Sequence, residues 1–228
     1  MISIVLPIFN ERTAYLRACL DSIQKQSFTE WECICVVEST NIENIELISC
    51  YSRNDRRFKI IQPPKRIGLP ASLNLAVNAS SFELVARMDS DDIMILNRLE
   101  LQYHYMSEYP SVSVVGAGYN QINKEGFIVG RRRYPRQGFA LSLYFLFRCG
   151  LAHSTVMFRK SSFMKLGGYN EKLRYCEDLD LWLRFKRMGA ELRNINASLI
   201  NYRISVRKPA HWKTMIRVRT YNLFRITL

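Results

Sequence analysis

The chain is poor in the features that mark zinc-binding, secreted or membrane-spanning proteins. Its six cysteines, Cys19, Cys33, Cys35, Cys50, Cys149 and Cys176, include no C-x-x-C pair, and they form no zinc-spaced cluster with the three histidines. Cys33 and Cys35 lie two apart in a strand-like run, so they share a face and read as small buried hydrophobes of a reducing compartment. The longest apolar runs, Ile2–Phe9 and Phe139–Phe147, fall far short of the ~20 residues that span a bilayer. Met1 leads directly into a strand-like run, so no secretory leader is expected and the expected location is cytoplasmic. Internal repeats and low-complexity segments are lacking. Gly116-Ala117-Gly118 begins like a dinucleotide fingerprint, but Gln121 stands where the third glycine is needed and no clear helix follows.

Acidic charge is scarce in one half only. Residues 129–228 hold 21 Lys/Arg against 5 Asp/Glu, whereas residues 1–128 hold 12 against 15. Such asymmetry points to a polyanionic partner, either nucleic acid or an anionic membrane surface. No aromatic platform on a basic sheet and no recognition motif supports the first, so no nucleic-acid partner is expected.

What is present is a 228-residue chain, 48% hydrophobic, with enough apolar material for one large α/β domain with or without a small extension. Ile2–Ile8, Glu32–Glu38, Phe58–Gln62 and Glu83–Met88 are apolar runs of strand length. Between them, Leu16, Cys19, Leu20 and Ile23 mark an amphipathic helix, and Ile42–Tyr51 and Leu69–Ala79 read as two more. The alternation predicts a Rossmann-like, mainly parallel sheet flanked by helices, with ligands at the carboxyl ends of its strands. Further on, Arg98–Tyr109 and Glu177–Met188 are predicted helices. Val112–Gly118 is a strand, and Glu191–Ile204 is one or two short strands. Residues 126–175 are irregular, with two strand-like pieces, and residues 209–228 form a basic amphipathic helix.

Asp89-Ser90-Asp91-Asp92 follows the fourth strand directly. Helix capping by Asp92 or Asn97 would explain one carboxylate. It leaves the repulsion among three unexplained, and a divalent cation is the simplest counterweight, oxygen ligands favouring Mg²⁺ or Mn²⁺. A second acidic cluster, Glu177-Asp178-Leu179-Asp180, opens a helix, where carboxylates suit the dipole. Asp178 also shares a face with Leu181, Trp182 and Phe185, which turns it toward the core or a cleft, while the helix N-terminus favours its ionised form, the one a general base needs. Both readings stand on spacing alone.

These pieces together resemble the family 2 inverting glycosyltransferases of GT-A fold, most closely the small bacterial enzymes that build surface polysaccharides. The resemblance is carried, in family order, by Ile4–Glu11, Val36–Thr40, Gly68-Leu69 with Leu73-Asn74, Ala86–Asp92, Arg98–Gln102, His153–Arg159, Gly167-Gly168-Tyr169 and Glu177–Arg184. It spans roughly residues 1–205, which divide by resemblance into a nucleotide-sugar half (1–92) and an acceptor half (93–205), with 206–228 as the basic C-terminal helix. It implies that Pro7, Asn10, Glu11, Glu38, Gly68, Asn74 and Asp89 bind the donor and that Asp91 holds Mg²⁺ or Mn²⁺. It implies that Asp178 deprotonates the acceptor hydroxyl, with His153 and Glu177 on the acceptor side. The implied reaction moves a hexose-type sugar, UDP-linked in donor form, to a glycan or polyprenyl-diphosphate-linked acceptor, with inversion.

Three departures qualify the resemblance. Glu38-Ser39 stands where relatives carry Asp, often Asp-Asp-Gly; Phe82 replaces a common glycine; and Ser205 follows Tyr202-Arg203-Ile204 where many relatives have a histidine. A catalytically silent nucleotide-binding relative and a sugar nucleotidyltransferase are the competing readings, although the latter lacks its Gly-rich loop, Asn10–Thr13 standing there instead. In the tail, Trp212, Met215, Ile216, Leu223 and Phe224 interleave with Lys208, Lys213, Arg217, Arg219 and Arg225. Together with Arg131-Arg132-Arg133, they suggest either a packed helix with a solvated basic face or peripheral attachment to the inner face of the plasma membrane.

Overall fold

A computed structural model describes residues 1–204 and 212–224. Ser205, Lys208 and Arg225, named above, lie outside them, as do the side chains of Trp212, Leu223 and Phe224. The first half runs β1 (Ile2–Ile8), α1 (Thr13–Gln24), β2 (Trp31–Val37), α2 (Ile42–Asn54), β3 (Phe58–Ile61), α3 (Leu69–Ala79) and β4 (Leu84–Arg87). The second half has β5 (Ile93–Met94), α4 (Arg98–Glu108), β6 (Val112–Ile122), β7 (Ile128–Arg132), α5 (Gly138–Phe147) and a 3-10 turn at His153–Thr155. It continues through β8 (Met157–Arg159), α6 (Lys160–Lys165), α7 (Glu177–Arg187), β9 (Glu191–Arg203) and α8 (Trp212–Phe224).

One sheet carries the molecule, in the order β3-β2-β1-β4-β8-β6-β9-β5, with β7 paired to β6. Strands β1 to β4 are mutually parallel, as the apolar runs predicted, because each is buried and returns through a helix. β8 enters antiparallel between β4 and β6, and β9 lies parallel to β6. β9 is a single strand of 13 residues rather than one or two short pieces. Asn194 interrupts its apolar pattern, but its side-chain nitrogen donates to the carbonyls of Pro135 (2.8 Å) and Gly150 (3.0 Å), while its buried Oδ1 accepts no hydrogen bond among the described residues. Gly116 and Gly118 lie within β6, not in a phosphate loop. A Cβ at 116 would stand 2.6 Å from Asn194 Oδ1, and one at 118 would stand 2.5 Å from the Arg132 carbonyl.

The alternation of β1 divides the core between two faces. Ile2, Ile4, Leu6 and Ile8 pack with Leu16, Leu20, Ile23 and Leu99 on one side; Val5 packs with Val36, Leu73, Val85, Phe158 and Trp182 on the other. Each such aliphatic side chain contributes about 1.5–3 kcal/mol on burial. Helix α8 packs through Val218 and Asn222, both buried, and Asn222 donates to Asp180 of α7 at 3.0 Å. With β1, β2 and β4 parallel, the segments that follow them, 9–11, 38–40 and 88–92, all leave the same sheet edge.

Candidate active site

The side on which the resemblance expects the donor is built from those strand exits. Asn10 Oδ1 accepts from the Ser39 hydroxyl and the Thr40 amide, both at 3.2 Å, and so ties the first exit to the second. Glu11 accepts from the Phe9 amide at 2.9 Å, which curls the first loop back. Glu38 accepts from the Ile67 amide (2.7 Å), the Gly68 amide (2.9 Å) and the Ser72 hydroxyl. Its carboxylate therefore ties the segment leading into α3 to the first turn of that helix. Gly68, at φ 84°, occupies a backbone region that suits glycine. Pro7, Glu11, Glu38, Arg66, Gly68, Asp89 and Asp91 line a cavity of about 300 Å³. A second cavity of about 390 Å³, which also includes Glu38 and Arg66, extends over Asn10, Ser39 and Pro63.

Asn74 lies elsewhere. Its amide donates to the Tyr169 carbonyl (3.0 Å) and Glu171 (2.9 Å), and its Oδ1 accepts from the Tyr169 amide (2.8 Å). It braces the 169–171 segment and is not among the residues lining the donor cavities. Every hydrogen-bonding atom of the side chain is turned to 169–171, so the structure does not bring Asn74 together with the other residues expected to bind the donor.

The acidic loop separates into three roles. Asp89 pairs with Arg87, whose side chain is only 3% exposed. Burial pulls the Arg87 guanidinium down, but the Asp89 charge and hydrogen bond outweigh it and leave it above its ordinary value. Asp92 is fully buried and accepts from the Arg203 amide at 2.8 Å. Neither it nor Asn97 caps α4, since Asn97 makes no side-chain capping bond. Arg203 adds a bond to the Asp91 carbonyl (3.0 Å) and lies over the Tyr15 ring at 4.0 Å, so the end of β9 is fastened to the loop. Asp91 is left facing the cavity, and burial, then Asp89 and Glu11, push its carboxyl up to about 6.

That excess of negative charge fits a divalent cation. Among the described residues no three Asp, Glu, His or Cys side chains converge closely enough to hold one alone, so a cation here needs oxygens from its ligand as well.

The side on which the resemblance expects the acceptor centres on the start of α7. Cys176, the residue before it, is the one non-glycine residue with positive φ (63°) among the described residues. Asp178 accepts from the Leu179 amide at 2.7 Å, and the Cys149 thiol lies 3.6 Å from its other oxygen. Burial raises its carboxyl; the Leu179 amide and Cys149 partly offset that. Burial thus opposes the ionised form that the helix N-terminus was expected to favour. Burial, then Asp178, push Glu177 up to about 7. His153 is within hydrogen-bonding distance of the Tyr169 hydroxyl (2.8 Å), and burial followed by Arg87 holds its imidazole well below the usual range, hence neutral at pH 7.

Glu177, Asp178, His153, Cys149, Arg87, Asp89, Tyr119, Tyr134 and Tyr202 line a cavity of about 370 Å³. Leu69 and Asp89 line both this cavity and the smaller donor one, so the two are neighbours across Asp89. Arg87, Arg66, Cys149 and the three tyrosines were not expected from sequence. Only Arg87 carried a signal, as a charged residue ending a buried strand on the face of Val85. The tyrosines come from β6, the 133–137 loop and β9, and meet only through sheet pairing.

Residues 3–167 match the profile described as Glycosyl transferase family 2. The chain is 33% identical over 208 residues to the O-antigen biosynthesis glycosyltransferase WbnJ of Escherichia coli, covering 90% of this chain and 80% of that one. It is 27% identical to the Escherichia coli enzyme named UDP-Gal:alpha-D-GlcNAc-diphosphoundecaprenol beta-1,3-galactosyltransferase, over 89% of this chain and 74% of that one. Among solved structures, S. aureus TarS superimposes with a TM-score of 0.76 at 18% identity, over 96% of this chain and 39% of the TarS chain. That likeness gives the fold, GT-A.

Proposed function

We propose that this chain, which belongs to glycosyl transferase family 2 and to its small bacterial surface-polysaccharide glycosyltransferases, transfers a hexose from a UDP-linked donor to a glycan or polyprenyl-diphosphate-linked glycan, with inversion. The observation that carries the reading is the adjacency of the two acidic cavities through Asp89, which would place a sugar between Asp91 and Asp178. TarS has been solved with UDP and with UDP-GlcNAc, and the galactosyltransferase relative is named for a UDP donor and a lipid-diphosphate acceptor; both support the choice.

In this reading the base and ribose lie over Asn10, Ser39 and Pro63, with Asp89 at the ribose. Arg66 faces the same cavity as Asp91 and would counter part of the diphosphate charge. Mg²⁺ or Mn²⁺, held by Asp91 and the diphosphate oxygens, would supply charge neutralisation for the departing nucleotide. Asp178 takes the proton of the acceptor hydroxyl; that oxygen bonds to the anomeric carbon as the bond to the diphosphate oxygen breaks, and UDP leaves from the opposite face. Tyr119, Tyr134 and Tyr202 wall the acceptor side, where aromatic faces suit a sugar ring.

The test uses UDP-sugar turnover and UDP binding together. Asp178→Asn should lower transfer at least about a thousandfold while UDP with Mn²⁺ still raises the melting temperature. Asp91→Ala should lose that Mn²⁺-dependent shift. Retained transfer in Asp178→Asn would remove the proposed base, and a UDP shift insensitive to chelator would remove the metal.

A further inference from the structure

Helix α5 is among the least covered elements of the described structure. It carries no charged residue, and only Leu141 and Phe145 are buried. Phe139 (82% exposed), Leu143 (43%), Leu146 (53%) and Phe147 (70%) stand at spacings of four, three and one, forming an apolar stripe turned outward. A cleft of about 370 Å³, lined by Gln137, Leu141, Phe145 and Leu192, runs along one side. Another of about 320 Å³, lined by Leu146, Leu183 and Asn222, runs along the other. Soluble surfaces rarely carry so continuous an apolar patch without a partner.

The charge around the stripe identifies that partner. Residues 126–170 contain eight Lys/Arg and no Asp or Glu. Arg131, Arg133, Arg136 and Arg148 are exposed on the segments leading into and out of α5. Apolar side chains ringed by cations match the boundary of an anionic bilayer, where phosphates meet the first methylenes. A second copy of the chain fits poorly, since a two-fold contact through this face would set the arginine clusters against each other. The tail helix is a weaker candidate for the same role, because Val218 and Asn222 are committed to packing on the body.

We propose that α5 is the element by which the protein rests on an anionic lipid surface, Phe139, Leu143, Leu146 and Phe147 entering the interface and the neighbouring arginines meeting lipid phosphates. The position of α5 gives the contact a purpose that rests on the acceptor reading above. Arg148 and Cys149 follow the helix directly, Cys149 touches Asp178, and Tyr144 of α5 packs on Tyr134 of the acceptor cavity (ring centroids 6.0 Å apart). A lipid-linked acceptor held in that surface would present its head group beside the base.

The experiment is co-sedimentation of the full chain with phosphatidylglycerol-containing vesicles and with pure phosphatidylcholine vesicles, at low and high salt. Binding should require phosphatidylglycerol and weaken with salt. Phe139→Ser/Phe147→Ser should lower partitioning about tenfold or more with an unchanged melting temperature, both residues being exposed. Arg131→Gln/Arg133→Gln/Arg148→Gln should lower it independently, so misfolding of one variant leaves the other to decide. Failure of the wild type to bind, undiminished binding by both variants, or a lipid-free dimer dissolved by the phenylalanine variant would each overturn the proposal. Vesicle binding needs no turnover, so a chain that binds lipid yet shows no UDP shift would overturn only the glycosyltransferase reading.

Discussion

Cys149 lies 3.6 Å from the carboxylate assigned the acceptor's proton, and it partly reverses the upward push that burial gives Asp178. Removing the thiol removes a donor to the ionised form. Cys149→Ala should therefore shift the acidic limb of the pH profile of kcat/KM upward. The loss should be confined to that limb and vanish on the alkaline plateau; an unmoved limb would reduce Cys149 to packing. Glu177 makes a separate stability prediction. Its carboxyl sits at about 7 in the folded chain against an ordinary 4.5. The folded state disfavours the anion, so a penalty is absent below about pH 4.5, grows between the two values and is complete above about pH 7. Glu177→Gln should accordingly be more stable than wild type by about 1–2 kcal/mol at pH 8, with the advantage fading toward pH 4.5. Urea melts across that range check it. Neither effect was legible in sequence. The spacing of Asp178 with Trp182 and Phe185 turned it inward correctly, but the burial that governs both carboxyls depends on Cys149 and His153, both more than 20 residues away in the chain.

Helices in this fold serve as ends more than as rods. The N-terminus of α3 is held by Glu38, which reaches across from the exit of β2 to two amides and a hydroxyl. The length of the Glu side chain lets it close on the entry to the helix. Glu38→Ala should cost about 1–2 kcal/mol of stability and weaken UDP binding together, because Gly68 lines the donor cavity. A side chain that only contacted the base would weaken UDP binding at constant melting temperature, so the pair of measurements separates the two roles. Periodicity made most elements readable. Strands β1 to β4 are continuous apolar runs with turn residues between them, and α3 and α7 begin at the expected residues. Periodicity failed where it was absent: α5 is apolar almost all round, β5 has two residues, and α6 has six. The capping role offered to Asp92 or Asn97 failed because Asp92 is engaged by the Arg203 amide, more than 100 residues away in sequence.

At the scale of the whole molecule, the sheet joins a half built of regularly alternating strands and helices to one that is not. β1 to β4 are apolar runs separated by helices, so their parallel pairing, β1 with β4 included, and the edge they share were readable from that alternation. The acceptor wall depends on β8 entering between β4 and β6, and on β6 and β9 running parallel across an intervening stretch of about 70 residues. No local pattern encodes those pairings, and Tyr119, Tyr134 and Tyr202 assemble only once they form. The same division predicts how the molecule opens. β1 is buried along nearly its whole length and paired on both sides, so its amides should exchange only through global unfolding. Helix α5 holds on through Leu141 and Phe145 between two clefts, and its opening breaks few apolar contacts. Its amides should therefore exchange at least about a thousandfold faster than those of β1 and β2. Hydrogen exchange read by mass spectrometry checks this in free protein and then with phosphatidylglycerol vesicles. Lipid that seats on the Phe139–Phe147 stripe should slow exchange in α5 while leaving β1 unchanged. Equal protection of α5 and β1 in the free protein would mean the helix is an integral part of the core, with no separate opening for a membrane to suppress.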